Sequence, residues 1–337
     1  MSVSASGERK SERQATMHLV GAASMLASRV SAIGSAHAGR LTPRIAYERA
    51  IRLGLSTNAP LVLVGPGGAE DDARASGIEP RHRIAAPIGS ARMARSALRR
   101  IAGGIDRIVC WYDELAVMAA GIAEHTELVS TQPYLCSVPH RRLSGVTCLN
   151  QHDAARWAER GIIPNVIDLT EAPIQPHRSR PATRERFCIS SDALLFVAVA
   201  DNPLHADARG LIFMLTVLHA TGFPVQAVIP RGASNMVAAR RHHRATGQPY
   251  PLLLTERPAS EWLAAADVAV LPVSDRSGGD ALLESECRSN GCEIIRMDTR
   301  GKPTIGPGSD ARSGGGQPLL DRLDKIVASR LRVTADD

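Results

Sequence analysis

Residues 264–284, AAADVAVLPVSDRSGGDALLE, decide how the fold is read. The Ala-rich segment 261–266 closes a short helix. Residues 267–271 (DVAVL) are a compact β-branched run, the pattern of a parallel strand covered on both faces. Pro272 ends the run, because proline cannot continue a hydrogen-bonded ladder. Ser277, Gly278 and Gly279 form a loop whose backbone can approach a bound group, and Asp280 is placed to cap the next helix. Leu282, Leu283 and Glu284 then bring a carboxylate to the mouth of a sheet, the edge where open α/β sheets bind ligands.

The same alternation runs outward in both directions. Upstream, one strand is expected between residues 17 and 39, near either 18–21 or 29–33. Residues 43–53 (PRIAYERAIRL) have helical spacing, with Pro43 suited to a first turn. Residues 60–64 (PLVLV) read as a buried strand ending in Gly65-Pro66-Gly67-Gly68. That glycine cluster lacks the G-x-G-x-x-G spacing and a Lys-Ser/Thr, so it reads as a tight turn. Residues 91–102 predict a helix with an arginine face, 106–111 a strand and 114–123 a helix. Strands follow at 127–130, 145–149 and 162–166, with a helix over 150–160 capped by Asn150. Residues 172–181 (APIQPHRSRP) carry three prolines and no apolar period, and read as a linker.

Beyond it, 194–200 (LLFVAVA) is a buried strand, followed by helix 210–221, strand 225–229, helix 233–244 and strand 251–255. Residues 293–297 (EIIRM) form a later strand, 301–316 a loop and 319–331 a closing helix. Alternation at this pace specifies an α/β protein of two doubly wound, Rossmann-like parallel sheets facing each other across a cleft. The expected division is a disordered leader at 1–16, a first domain at 17–170, a linker at 171–182 and a second domain at 183–337.

Composition narrows the partners. The 337 residues are 44% hydrophobic and 22% charged, as in a globular chain of two ordinary domains. Aromatic residues make up 3%, too few for the stacking platforms of single-stranded nucleic-acid binders. The net charge of +6 is almost all arginine, with Lys10, Lys302 and Lys325 the only lysines. Such a bias is typical of GC-rich genomes, so no nucleic-acid partner is expected; a phosphate-bearing ligand or an anionic membrane surface fits the charge.

The six cysteines (Cys110, Cys136, Cys148, Cys188, Cys287, Cys292) are scattered and read as small core residues of a reducing compartment. Cys287 and Cys292 have no second Cys/His pair at zinc spacing. No segment approaches the length of a membrane span. Residues 17–27 make a poor signal peptide, since Glu8 and Glu12 precede them and Arg29 follows. The expected location is cytoplasmic, with peripheral contact at the inner face of the membrane open to the Arg92, Arg95, Arg99 and Arg100 face.

The second half resembles the nucleotide-sugar-dependent glycosyltransferases of the two-Rossmann-domain (GT-B) fold, especially the retaining family 4 group. Pro272 stands at that family's proline, Gly279 at its glycine and Leu283-Glu284 at its Leu-Glu. Residues 147–168 (TCLNQHDAARWAERGIIPNVID) look like its crossover segment, and 195–211, ending in Arg209-Gly210, like its donor loop. The departures are specific. Arg276, beside Asp275, occupies the position of the family's first glutamate. Pro230, followed by Arg231-Gly232, replaces a glycine; Ser130-Thr131-Gln132-Pro133 lacks the expected histidine; and no arginine lies near Pro203.

The resemblance implies transfer of a sugar from a nucleotide-diphosphate donor to an unidentified acceptor. The leaving diphosphate gains charge as the C1–O bond lengthens, so it needs cations or helix N–H groups. Donor-binding candidates are Arg209, Gly210, Arg231, Gly278, Gly279 and Glu284, with Asp275 and Arg276 at the reacting end. Glu284, by the resemblance, accepts from ribose hydroxyls. No Asp-x-Asp motif is present, and no cofactor beyond the donor is expected.

Plainer readings stand beside these. Arg209 also reads as a solvated cation at a helix start, Glu284 as a helix-dipole carboxylate, and Arg276 as a surface charge. His140, His152 and His205 are alternative bases, and His242-His243 reads as a solvated helix face. A non-catalytic binding or scaffold relative and a nucleotide-sugar epimerase are the competing functions.

Overall fold

The computed structural model describes residues 16–21, 45–46, 49–50, 61–65, 82–85, 91–111, 113–131, 142–170, 179–200, 206–255, 260–272, 278–297 and 303–304. Of the expected leader at 1–16, residues 1–15 lie outside them and Thr16 belongs to the first strand; the Pro66-Gly67-Gly68 turn and the closing helix at 319–331 also lie outside.

The first unit contains β1 (Thr16–Gly21), β2 (Leu61–Gly65), β3 (His82–Ala85), α1 (Ala91–Ile101), β4 (Arg107–Cys110), α2 (Asp113–Ala119), β5 (His125–Ser130), β6 (Gly145–Cys148), α3 (Gln151–Ala158) and β7 (Asn165–Val166). The second contains α4 (Arg180–Arg186), β8 (Leu194–Ala198), α5 (Ala208–Ala220), β9 (Val225–Pro230), α6 (Met236–Ala245), β10 (Leu252–Thr255), α7 (Ser260–Leu263), β11 (Val268–Pro272), α8 (Gly278–Ser289), β12 (Glu293–Met297) and β13 (Pro303–Thr304).

Among the described residues the strands form two sheets. One has the order β3-β2-β1-β4-β5-β6-β7 and the other β10-β9-β8-β11-β12-β13. Every pairing is parallel except that of β12 with β13. Each sheet is thus doubly wound, with its order reversing between β1 and β4 or between β8 and β11.

The local reasons are visible in the sequence. β8 is buried at every position, as a strand covered on both faces must be. Asn150 caps α3 by accepting from the Asp153 N–H at 2.8 Å. The turn that follows this helix reaches Gly161, which takes φ +79°, a conformation glycine adopts without Cβ strain. The strand left open between two positions lies at β1, the earlier of them.

Three expectations change. β3 is a four-residue strand, too short for its periodicity to be read. The linker's last residues belong to α4, where the Ser179 hydroxyl accepts from the Ala182 N–H and Pro181 sits in the first turn. A proline there removes no helix hydrogen bond, so it starts the helix instead of breaking the chain. Arg95 turns away from the expected arginine face and donates to the Met118 and Ala120 carbonyls at 2.8 and 2.7 Å, closing the end of α2.

Leu98, Ile108, Leu115, Leu128 and Trp157 form a cluster under the helices of the first unit, and Phe196, Leu211, Leu215 and Ile229 form one under α5 and α6. A third cluster runs through both units, joining Ile45, Val109, Val129 and Leu169 to Leu195, Val197, Leu271, Leu282 and Leu283. Arg49, 1% exposed, donates to the Leu169 and Thr170 carbonyls at 2.8 and 3.0 Å, to Ser285 Oγ at 3.0 Å and to Glu286 Oε2 at 3.0 Å. The Ser285 hydroxyl in turn donates to the Thr170 carbonyl at 2.6 Å. Asp168, at the same crossover, accepts from the Thr170 hydroxyl and N–H, and these two bonds hold its carboxyl below the ordinary value of 3.8.

Arg49→Met removes one half of a buried ion pair and is expected to lower stability by about 3 kcal/mol. Arg49→Met with Glu286→Met recovers most of that loss, because no unpaired charge remains. Urea unfolding of both variants measures the difference; an unchanged midpoint for the single variant would show the contact to be idle.

Candidate functional site

The switch point between β8 and β11 sets the site. A strand connection leaves on either side of it, so a crevice opens at the carboxyl edge of the sheet. The segment after β8 leads into α5, and the segment after β11 leads into α8. Since β8 and β11 are hydrogen-bonded neighbours, the segments that lead to these two helices leave from adjacent strand ends.

The start of α5 is fixed by polar contacts. Asp207 caps it, with Oδ1 accepting from the Arg209 N–H at 3.1 Å and from Asn235 Nδ2 at 3.0 Å. A parallel bridge joins Asp207 to Ser234, where the Ser234 N–H donates to the Ala206 carbonyl at 2.9 Å and the Ala208 N–H to the Ser234 carbonyl at 3.1 Å. Asn235 takes φ +56°, which asparagine tolerates better than most residues. Arg209 is exposed in the first turn of α5, and Gly210 behind it is buried. Arg231 is exposed just after β9, its N–H donating to the Thr255 carbonyl at 2.9 Å.

Gly278 and Gly279 are the first residues of α8, not the end of a loop as expected. Asp280 therefore lies in the first turn and is not the cap. Both glycine N–H groups are still available, because the first four N–H groups of a helix have no partner within it. Arg209 and Gly210 thus lie at the start of α5, Arg231 just after β9, and Gly278 and Gly279 at the start of α8. Asp275 and Arg276 lie outside the described residues.

Glu284 departs from the free ribose acceptor that was expected. It lies in the second turn of α8, and its carboxylate accepts from Arg288 Nη2 at 2.5 Å and from Arg296 Nη2. Arg296 is on β12, opposite Leu271 in the register, so the ion pair ties α8 to the neighbouring strand. The Glu284 side chain keeps 20% of its surface exposed.

Other candidates separate cleanly. His152 is exposed on α3, while His140 and His205 lie outside the described residues. His243 is not on a solvated face: it is buried, with Nε2 3.0 Å from the Tyr250 carbonyl and its ring 4.9 Å from the Tyr250 ring. Cys110, Cys148, Cys287 and Cys292 are buried and Cys188 is exposed. Burial raises the Cys292 thiol to about 12, leaving it unreactive at neutral pH. Among the described residues no group of three or more His, Cys, Asp and Glu side chains could hold a metal ion, and no helix is long and apolar enough to cross a membrane.

Two structural charges were absent from the sequence reading. Arg49 is one; its signal is an arginine sharing the i, i+3/i+4 stripe of Ile45, Ala46 and Ala50. Asp267 is the other. It is buried at the start of β11, paired with Arg180 and with Arg184 at 3.2 Å, and accepts from the Leu195 N–H at 2.7 Å. Arg184 also donates to the Ala265, Ser190 and Ala193 carbonyls. Burial lowers the Arg184 guanidinium to about 10, with Arg180 adding to the shift, so it remains charged at neutral pH.

No protein-family model matches the chain, and no curated protein matches it. Solved structures do. HepE of Anabaena in complex with UDP-glucose is 12% identical over 95% of this chain and 90% of its own, with a TM-score of 0.52. The ADP-heptose lipopolysaccharide heptosyltransferase II of E. coli is 13% identical over 93% and 98%, with a TM-score of 0.50. A putative UDP-N-acetylglucosamine 2-epimerase from Listeria monocytogenes is 11% identical over 83% and 77%, also at 0.50. At these identities the likeness is one of fold: the chain has the twin Rossmann-like α/β architecture of GT-B proteins.

Proposed function

We propose that this chain binds a nucleotide-diphosphate sugar at the carboxyl edge of its second sheet and transfers the sugar to an acceptor held by its first domain. The observation that carries the reading is the placement of two helix starts at one switch point, Arg209-Gly210 on α5 and Gly278-Gly279 on α8. A diphosphate leaving group gains negative charge as its bond to the sugar lengthens. Helix N–H groups and a bidentate guanidinium answer that charge directly. In this reading Arg231 adds a second cation from the β9 side, and Asp275 and Arg276 stand at the reacting end. The donor is itself the only small molecule the chemistry requires. Likeness to a heptosyltransferase and to a UDP-glucose-bound protein supports the choice by analogy of fold.

Two other readings have an observation each. Glu284 is already held by Arg288 and Arg296, which favours a module that binds a nucleotide sugar without turning it over. The epimerase neighbour favours sugar interconversion on the same twin-domain frame. Acceptor dependence separates the three. Transfer needs an acceptor, epimerisation proceeds without one, and a pure binding module consumes no donor.

Titration calorimetry with UDP-, GDP- and ADP-sugars is expected to show binding of at least one donor, weakened about tenfold or more by Arg209→Ala. Absence of binding by all three sinks the proposal. Glu284 gives a second measurement. As a tether to β12, Glu284→Ala is expected to cost about 1 kcal/mol of stability, against under ~0.5 for Arg288→Ala on the exposed side. Equal losses in urea unfolding would reduce the Arg296 contact to an ordinary surface pair.

A further inference from the structure

Six large apolar side chains are exposed among the described residues: Met93, Ile163, Val166, Phe213, Val217 and Val237. Three of them share one surface. Phe213 and Val217 are one turn apart on the outer face of α5, 60% and 47% exposed, and Val237 on α6 is 68% exposed. The ring of Phe213 lies 5.9 Å from that of His242 on α6, so the two helices lie side by side.

The rim of this surface is basic. Arg240, Arg241 and Arg244 are exposed on α6, at the helical spacing that places them in line with Val237. Neither helix contains an aspartate or a glutamate: α5 reads ARGLIFMLTVLHA and α6 reads MVAARRHHRA.

We infer that the outer face of α5 and α6 docks on an anionic lipid bilayer. An apolar centre with an arginine rim and no acid on either helix matches the boundary between acyl chains and negatively charged headgroups. A second copy of the same face fits poorly, since isologous pairing sets arginines against arginines with no carboxylate from either helix to answer them. A nucleic acid makes no use of three exposed apolar side chains on a face with a single aromatic ring. The α1 face suggested by the sequence is weaker, for Arg95 is committed to the end of α2 and only Met93 adds exposed apolar surface. The assignment is independent of whether the protein transfers sugar.

Vesicle co-sedimentation of the full chain tests it, with phosphatidylcholine alone and with phosphatidylcholine mixed with phosphatidylglycerol. Sedimentation with the mixed vesicles only is expected, declining as salt is raised. Arg240→Ala/Arg241→Ala/Arg244→Ala is expected to lower the partition coefficient about tenfold or more. Phe213→Ser/Val237→Ser also lowers it, while Arg92→Ala/Arg99→Ala/Arg100→Ala leaves it unchanged. Thermal melts followed by circular dichroism verify folding, and Arg→Gln replacements at 240, 241 and 244 stand in for any alanine variant that fails. Equal binding to neutral vesicles, no binding to either, or loss through the α1 variant alone overturns the inference. So does a dimer, seen by sedimentation equilibrium, that Phe213→Ser/Val237→Ser dissolves.

Discussion

A guanidinium taken out of water must find acceptors for its N–H groups, and Arg49 finds them on two different parts of the fold. It bonds the crossover at Leu169 and Thr170 and, at the same time, Ser285 and Glu286 of α8. Buried ion pairs seldom stabilise more than a well-packed apolar replacement, since desolvation offsets most of the attraction. Their effect is on register. A slide of α8 against the crossover by one residue would strand a buried charge, at a cost of several kcal/mol. The apolar cluster spanning both units tolerates small slides far better, because burial of area is non-directional. The hydrophobic contact therefore brings the units together, and Arg49 selects one arrangement of them.

The consequence reaches the candidate site through α8. Three consecutive residues of that helix reach two partners on different sides of it. Glu284 reaches Arg296 on β12, while Ser285 and Glu286 reach Arg49. The helix is held from the strand side and from the crossover side, so the N–H groups of Gly278 and Gly279 have a fixed direction. The start of α5 is held by separate means, the Asp207–Ser234 bridge and the Asp207–Asn235 bond. Preorganised donors of this kind need no rearrangement when charge develops on a ligand.

Much of this frame was legible in the residues. β8 and β11 are continuous apolar runs and β9 is interrupted only by Gln226, and runs this short and buried read as strands. Asn150 is readable as a cap because its side chain leaves few alternatives before a helical period. β3 was not legible, since HRIA is too short to show a period, and α4 was hidden by a proline taken for a breaker. Arg49, Arg95 and Asp267 escaped for one reason. A charged side chain reads as solvent-facing until its partners are known, and those partners lie as far as 237 positions away in the sequence. Arg209, Gly210, Arg231, Gly278 and Gly279 could be assigned to strand ends and helix starts because those elements are legible. The engagement of Glu284 by Arg296 was not, because it depends on which face of α8 meets β12.

The Asp267 pair with Arg180 and Arg184 lies at the opposite end of β11 from the candidate site. The strand is five residues long, so roughly 16 Å separates the two ends. Anchoring and recognition are therefore carried by different ends of one strand. Residues following Pro272 can vary in type while the ionic clamp at the other end keeps β11 in its sheet. The same separation makes the segments after β8 and β11 natural places for loop grafting: they can be exchanged without disturbing the clamp.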